Sequence, residues 1–127
     1  MVIAAARAVE GVQCVGLEHD VSLVQQAARQ LEGLEPEVRS RVELRQADVL
    51  GSDFSEASAV FLYLMGSSGR PSILELHRQL ELQLLPDCRI VTACFPLPRP
   101  TWETIEHVTI QGFDLYLQRR NSEISNL

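Results

Sequence analysis

The sequence is short of three things on which many binding and catalytic proteins depend. The first is patterned cysteine: Cys14, Cys88 and Cys94 are odd in number and widely spaced, which disfavours a disulfide framework and suits a reducing compartment. Neither these nor His19, His77 and His107 form a close ligand pair of the Cys-x-x-Cys kind, so no metal site is assigned. The second is cationic surface. Eleven basic against 17 acidic residues leave a formal net charge of -6, and only Arg119 and Arg120 stand together. Phosphate binding needs concentrated cations, so no nucleic-acid partner is expected. The third is a long apolar run. The longest, AVFLYLM at 59–65, is strand-sized, far below the ~20 residues of a bilayer span, and no membrane span is expected in this chain. The opening MVIAAARAVEG does not read as a targeting signal, because Glu10 interrupts it and no basic stretch precedes it.

What is present suits one α/β domain over 1–120, followed by a frayed tail, 121–127, with an intracellular location. The chain is 127 residues long and 46% hydrophobic, enough for a single core. Helical and strand-like segments alternate, the pattern of a mainly parallel sheet. Alanine-rich VIAAARAV (2–9) predicts a helix stopped by Gly11, and VQCVGL (12–17) a buried strand that runs into Glu18, His19 and Asp20. A helix follows over 21–32, with Val21, Val24, Ala28 and Leu31 on one face and Asp20 or Ser22 as its cap. VELRQ (42–46) alternates like a half-covered strand and leads into Ala47 and Asp48.

In the second half, the run at 59–65 predicts a central parallel strand covered on both faces. GSSG breaks the chain, and Pro71 opens a helix whose Ile73, Leu76, Leu80 and Leu84 share a face until Pro86. RIVTACF (89–95) is another buried strand. After PLPRP and Trp102, TIEHVTI and FDLYLQ are joined at Gln111-Gly112 as an antiparallel hairpin. GSSGR lacks the lysine and spacing of a phosphate loop and reads as a turn. His77 reads as a surface or boundary residue of its amphipathic helix.

Two acids stand where chemistry is expected. Open α/β sheets bind ligands beyond the carboxyl ends of their strands, and Glu18 and Asp48 both close strands. A carboxylate accepts from both hydroxyls of a ribose, which suits Glu18, and Asp48 can accept from the exocyclic amine of adenine. Capping a helix or facing solvent is the plain alternative for either acid.

These segments carry a resemblance. VGLEHDVSLVQQA resembles the second motif of class I methyltransferases, whose acid holds the ribose of S-adenosylmethionine, and VELRQADVL resembles the third, whose acid meets the adenine end. The resemblance implies Glu18 and Asp48 as cofactor-binding residues, with His19 and Ala47 beside them. It also implies a Rossmann-like seven-stranded sheet ending in an antiparallel hairpin. VFLYLMGSSG, LLPDCRIVTACFPLP and the tryptophan after them resemble a narrower group, the small protein-lysine methyltransferases acting on the ATP synthase c-subunit and the adenine nucleotide translocase, with bacterial relatives. This implies a protein-lysine substrate and possible mitochondrial residence. Tyr63, Phe95, Pro96 and Trp102 then line an apolar pocket that keeps the amine neutral. Tyr63 reads equally as a core aromatic and Trp102 equally as a packing anchor for the hairpin. No catalytic residue is named.

The departure from the family is at the start. Its first strand and D/E-x-G-x-G-x-G loop are not in this sequence, which opens with the helix that should follow them. The missing strand is central, so its loss leaves unpaired edges and an open slot in the sheet. A truncated gene product, alternative start or fragment is expected, and the chain alone is expected to bind S-adenosylmethionine weakly or not at all. The alternatives are a non-catalytic remnant that binds a partner, or a nicotinamide enzyme, against which stand the absent GxGxxG and the terminal hairpin.

Overall fold

A computed structural model describes residues 2–63 and 73–121. GSSG, Leu64, Met65, Pro71 and the tail from 122 onward lie outside the described residues. The chain forms two compact units, 1–52 and 53–127.

The first unit runs α1 (Val2–Ala8), β1 (Cys14–Glu18), α2 (Val21–Glu32), α3 (Pro36–Arg39) and β2 (Val42–Gln46). β1 and β2 pair in parallel, from Cys14 opposite Val42 to Glu18 opposite Gln46. Ala6, Val38 and Val42 are buried together, with Val2, Cys14, Leu31, Leu34 and Leu44 packed around them. The helix seats on the strand through Gly16. A Cβ there would stand 3.2 Å from Val2 Cγ1 and 3.2 Å from Leu44 Cδ2, tighter than ordinary contact. Arg41 is buried and clamps the unit. Its Nε and one terminal nitrogen donate to the two Glu37 carboxylate oxygens at 2.7 and 3.1 Å, and the other nitrogen donates to the Val9 and Val12 carbonyls at 3.2 and 3.0 Å. The same pairing holds the Glu37 carboxyl below its ordinary pKa.

The second unit contains β3 (Ala59–Leu62), α4 (Ile73–Gln83), β4 (Arg89–Ala93), β5 (Trp102–Ile110) and β6 (Phe113–Arg120) in a sheet of order β3-β4-β6-β5. β3 and β4 are parallel, and β6 is antiparallel to both β4 and β5. Gln111 and Gly112 both have positive φ, 51° and 82°, which gives the hairpin the backbone twist of a type I′ turn. The core is Leu62, Leu76, Leu80, Leu84, Cys88, Ile90, Leu97 and Trp102.

The helix at 21–32 and the strand at 42–46 form where the apolar spacing predicts, and the hairpin turns at Gln111-Gly112. α3 is an element the sequence reading left unassigned. One expectation is corrected. The strand at 59–65 was expected to be covered on both faces, but Leu62 is 6% exposed and Phe61 36%, so one face is open. The single described helix of the unit reaches the other face through His77 and its carboxyl end, which bond Trp102 and Arg120. The described strands form two sheets, one in each unit: β1 pairs with β2 alone, and β3 is the edge of the four-stranded sheet, pairing with β4 alone.

Candidate functional site

The first unit brings the two acids to neighbouring strand ends. Glu18 is the last residue of β1, and its carbonyl accepts from the Ala47 amide at 3.0 Å, carrying the pairing one step past β2. Asp48 follows immediately, two residues beyond the strand, so the acids are staggered rather than level. Glu18 Oε1 accepts from the Asp20 amide at 3.2 Å and stands 3.7 Å from His19 Nδ1. Its other oxygen has no partner among the described residues, and the side chain is 34% exposed. Gln46 Nε2 donates to the His19 carbonyl at 3.4 Å, tying that turn to β2. Asp48 is exposed and folds its own loop, with Oδ1 accepting from the Leu50 amide at 3.0 Å and its carbonyl accepting from Ser52 Oγ at 2.7 Å.

Asp20 is the cap of α2, accepting from the Ser22 amide at 2.9 Å and from its hydroxyl at 2.8 Å. These bonds hold its carboxyl below the ordinary aspartate pKa. Because Asp20 takes the capping task, Glu18 keeps accepting capacity for a ligand diol. That is the acceptor a ribose diol requires, and the residues present fit a nucleoside at this end.

The second unit places the four pocket residues differently from one another. Tyr63 follows the carboxyl end of β3 and is 48% exposed, and Phe95 and Pro96 are exposed beyond β4. Cys94, between them and the strand, has φ of 75° and donates its amide to the Asp114 carbonyl at 2.8 Å, which turns the chain out of the sheet. Trp102 is 1% exposed. Its indole N–H donates to His77 Nδ1 at 2.8 Å, and the Arg120 guanidinium lies 5.5 Å above its ring. Of the two readings open for Trp102, the packing anchor is the one its surroundings describe. His77 lies at the boundary as expected, but it also takes the indole proton.

Two residues of this region escaped the sequence reading. Gln118 is fully buried and clamps Leu97, accepting its amide at 2.8 Å and donating to its carbonyl at 3.3 Å. Phe113 stands edge-on to Tyr63, with ring centroids 6.4 Å apart. A glutamine at an alternating position of FDLYLQ and an aromatic directly after a hairpin turn were the available signals.

No protein-family profile matches the chain, and no curated protein does. Solved structures do. The chain is similar to an RNA methyltransferase from Salinibacter ruber, in complex with S-adenosyl-L-homocysteine, at 35% sequence identity and a TM-score of 0.75, over 91% of this chain and 70% of that one. It also shares its fold with the putative methyltransferase yhhF from Escherichia coli, at 14% identity and a TM-score of 0.61 over 87% of this chain and 65% of that one. A third likeness is to the mitomycin 7-O-methyltransferase MmcR, at 13% identity and a TM-score of 0.69, over 93% of this chain and 44% of that one. The two lower identities speak for the fold. The first, with its coverage of both chains, goes further: this chain belongs to the class I S-adenosylmethionine-dependent methyltransferases.

Proposed function

We propose that the chain serves methyl transfer from S-adenosylmethionine to RNA, with Glu18 accepting from the ribose hydroxyls and Asp48 from the adenine end, His19 and Ala47 beside them. The observation that carries this reading is the 35% identity, along 91% of the chain, to an RNA methyltransferase. When bound, the cofactor supplies an electrophilic methyl group on a sulfonium. The protein's part is to orient the acceptor and exclude water. In the second unit, exposed Tyr63, Phe95 and Pro96 are the acceptor-facing groups, and Trp102 supports them from beneath by fixing the start of β5.

A protein lysine is the second reading, favoured by charge. The net charge is -6, and among the described residues Arg41, Arg45 and Arg119 are each paired with a glutamate, so acid outweighs base where a polyanion would have to bind. The ATP synthase c-subunit and the adenine nucleotide translocase of mitochondria are the acceptors to examine first on that reading. The methyltransferase neighbours give no support to a non-catalytic remnant.

The cofactor assignment is tested by amide NMR of the 127-residue chain titrated with S-adenosylhomocysteine, a method that reads even millimolar binding. Shifts centred on Glu18, Asp20, Ala47 and Leu50, abolished in Glu18→Ala, are expected. Shifts centred on other residues, or shifts that persist in Glu18→Ala, overturn it. The acceptor is tested by transfer of labelled methyl into an extract, followed by nuclease or protease digestion. All 11 basic residues of the chain are arginine, so label on lysine cannot be self-methylation. Label released by nuclease supports RNA, and label on protein lysine replaces it with the second reading.

A further inference from the structure

Resting on the RNA reading above, we infer that Tyr63 and Phe113 form a two-sided aromatic corner that holds an unstacked nucleobase of the acceptor.

The register of the sheet puts the two rings on one face. Leu62 pairs with Thr92 and Ala93 with Leu115, so Tyr63, Ala93 and Leu115 fall in one row across β3, β4 and β6, and Phe113 lies two residues from Leu115 on the same side. The residue between the rings on β4 is alanine, the smallest side chain that keeps the strand, so nothing bulky separates them. Their centroids are 6.4 Å apart with planes at 65°, one ring presenting its face and the other its edge. Each nevertheless leaves nearly half its surface to solvent, 48% for Tyr63 and 47% for Phe113. A structural aromatic pair buries itself, whereas this one offers a flat surface with an upright wall beside it.

Placement favours a ligand. Tyr63 stands at the carboxyl end of a parallel strand, the end at which such sheets bind. Phe113 directly follows the Gln111-Gly112 turn, whose paired positive φ angles fix the hairpin end, so the second wall sits on a rigid support. A base taken out of its stack is held sequence-tolerantly by an aromatic face. The polar groups of the hairpin do not compete for the corner. Asp114 is engaged by His107 at 3.0 Å and Thr109 at 2.8 Å, one residue on and so on the opposite face.

The test is NMR titration of the 127-residue chain with single-stranded hexaribonucleotides at low salt, following the ring signals of Tyr63 and Phe113. Expected are upfield ring shifts confined to this corner, with Phe113→Leu and Tyr63→Leu each weakening binding roughly tenfold or more and Tyr63→Phe leaving it unchanged. Leucine keeps an apolar side chain at each site, and an unaltered amide spectrum elsewhere certifies the fold. Ring signals unmoved by the oligonucleotides overturn the corner. So does a response to a lysine peptide but not to RNA, because that marks a cation site. The corner and the RNA reading fail separately: label on RNA with silent rings removes only the corner, and label on protein lysine removes the reading on which it rests.

Discussion

Replacing Gln118 with methionine removes a polar clamp from the core: its two bonds to the Leu97 backbone, and a third in which Nε2 donates to Thr104 Oγ1 at 3.3 Å, a hydroxyl near the edge of the core. Methionine has nearly the same length and volume, so packing against Ile90 and Leu97 is retained while both bonds to the Leu97 backbone are removed. The Leu97 amide and carbonyl then face a site with no protein partner, and Leu97 is 1% exposed, so water reaches them only if the loop moves. Each buried group left unmade costs about 1–3 kcal/mol. The loop can relieve that by swinging out, at the expense of exposing the Leu97 side chain, about 1.5–3 kcal/mol. Whichever route is easier sets the result, so the local opening free energy falls by about 2 kcal/mol. Amide exchange at Leu97 therefore accelerates roughly 30-fold. The Asn121 amide, bonded to the Thr101 carbonyl at 2.8 Å, reports from the other end of the same loop, and a smaller acceleration is expected there. Exchange at Leu97 within threefold of the native rate refutes the argument, because it shows that the glutamine clamp does not hold the loop. The matter bears on the proposed acceptor site, since Phe95 and Pro96 immediately precede the clamped residue.

Two further outcomes follow from the second unit. His77→Leu leaves the buried Trp102 indole N–H without its acceptor and is expected to destabilise the unit by about 1–3 kcal/mol, with His77→Gln recovering part of the loss. Trp102 is the sole tryptophan, so its fluorescence in a urea titration reads the effect directly, and coincident curves for native and His77→Leu chains contradict it. Asp114 has its carboxyl held below the ordinary aspartate pKa, first by the bond from His107 and then by that from Thr109. A depressed folded pKa contributes stability that is complete above the unfolded value near 4 and is lost as pH falls through the folded one. Amide exchange in the hairpin should accordingly rise on acidification below about pH 4 in the native chain, and Asp114→Asn should flatten that part of the profile.

The residues show where sequence was a good guide and where it was not. Local signals worked wherever one element carried its own instruction. Asp20 before an amphipathic run caps α2, and Gln111-Gly112 makes the hairpin. Glu18 and Asp48 could be picked out as candidates because an acid after a short apolar strand is a local pattern, although their stagger by two residues depends on where β2 ends. The failures came from partners distant in sequence. Trp102 looked available for a pocket until His77, 25 residues earlier, accepted its indole proton. Gln118 carries no local sign of its role, because Leu97, bonded to both ends of its amide, is 21 residues away.

β6 makes the deeper point about this fold. Alternation in FDLYLQ assigns Leu115 and Leu117 to the core and Asp114, Tyr116 and Gln118 to water. In the structure the buried side is that of Gln118, which lies opposite Ile90 in the sheet. Leu115 and Leu117 line an open groove with Val91, Val108 and Glu106, and Phe61, Ile110 and Phe113 are exposed. Both faces of β6 thus carry side chains suited to burial, as a parallel α/β sheet with layers on both sides requires, and α4 accounts for one. Phe113→Leu separates the two demands on that open face. It preserves apolar surface for packing while removing the ring, so a loss confined to oligonucleotide binding assigns Phe113 to recognition and not to packing.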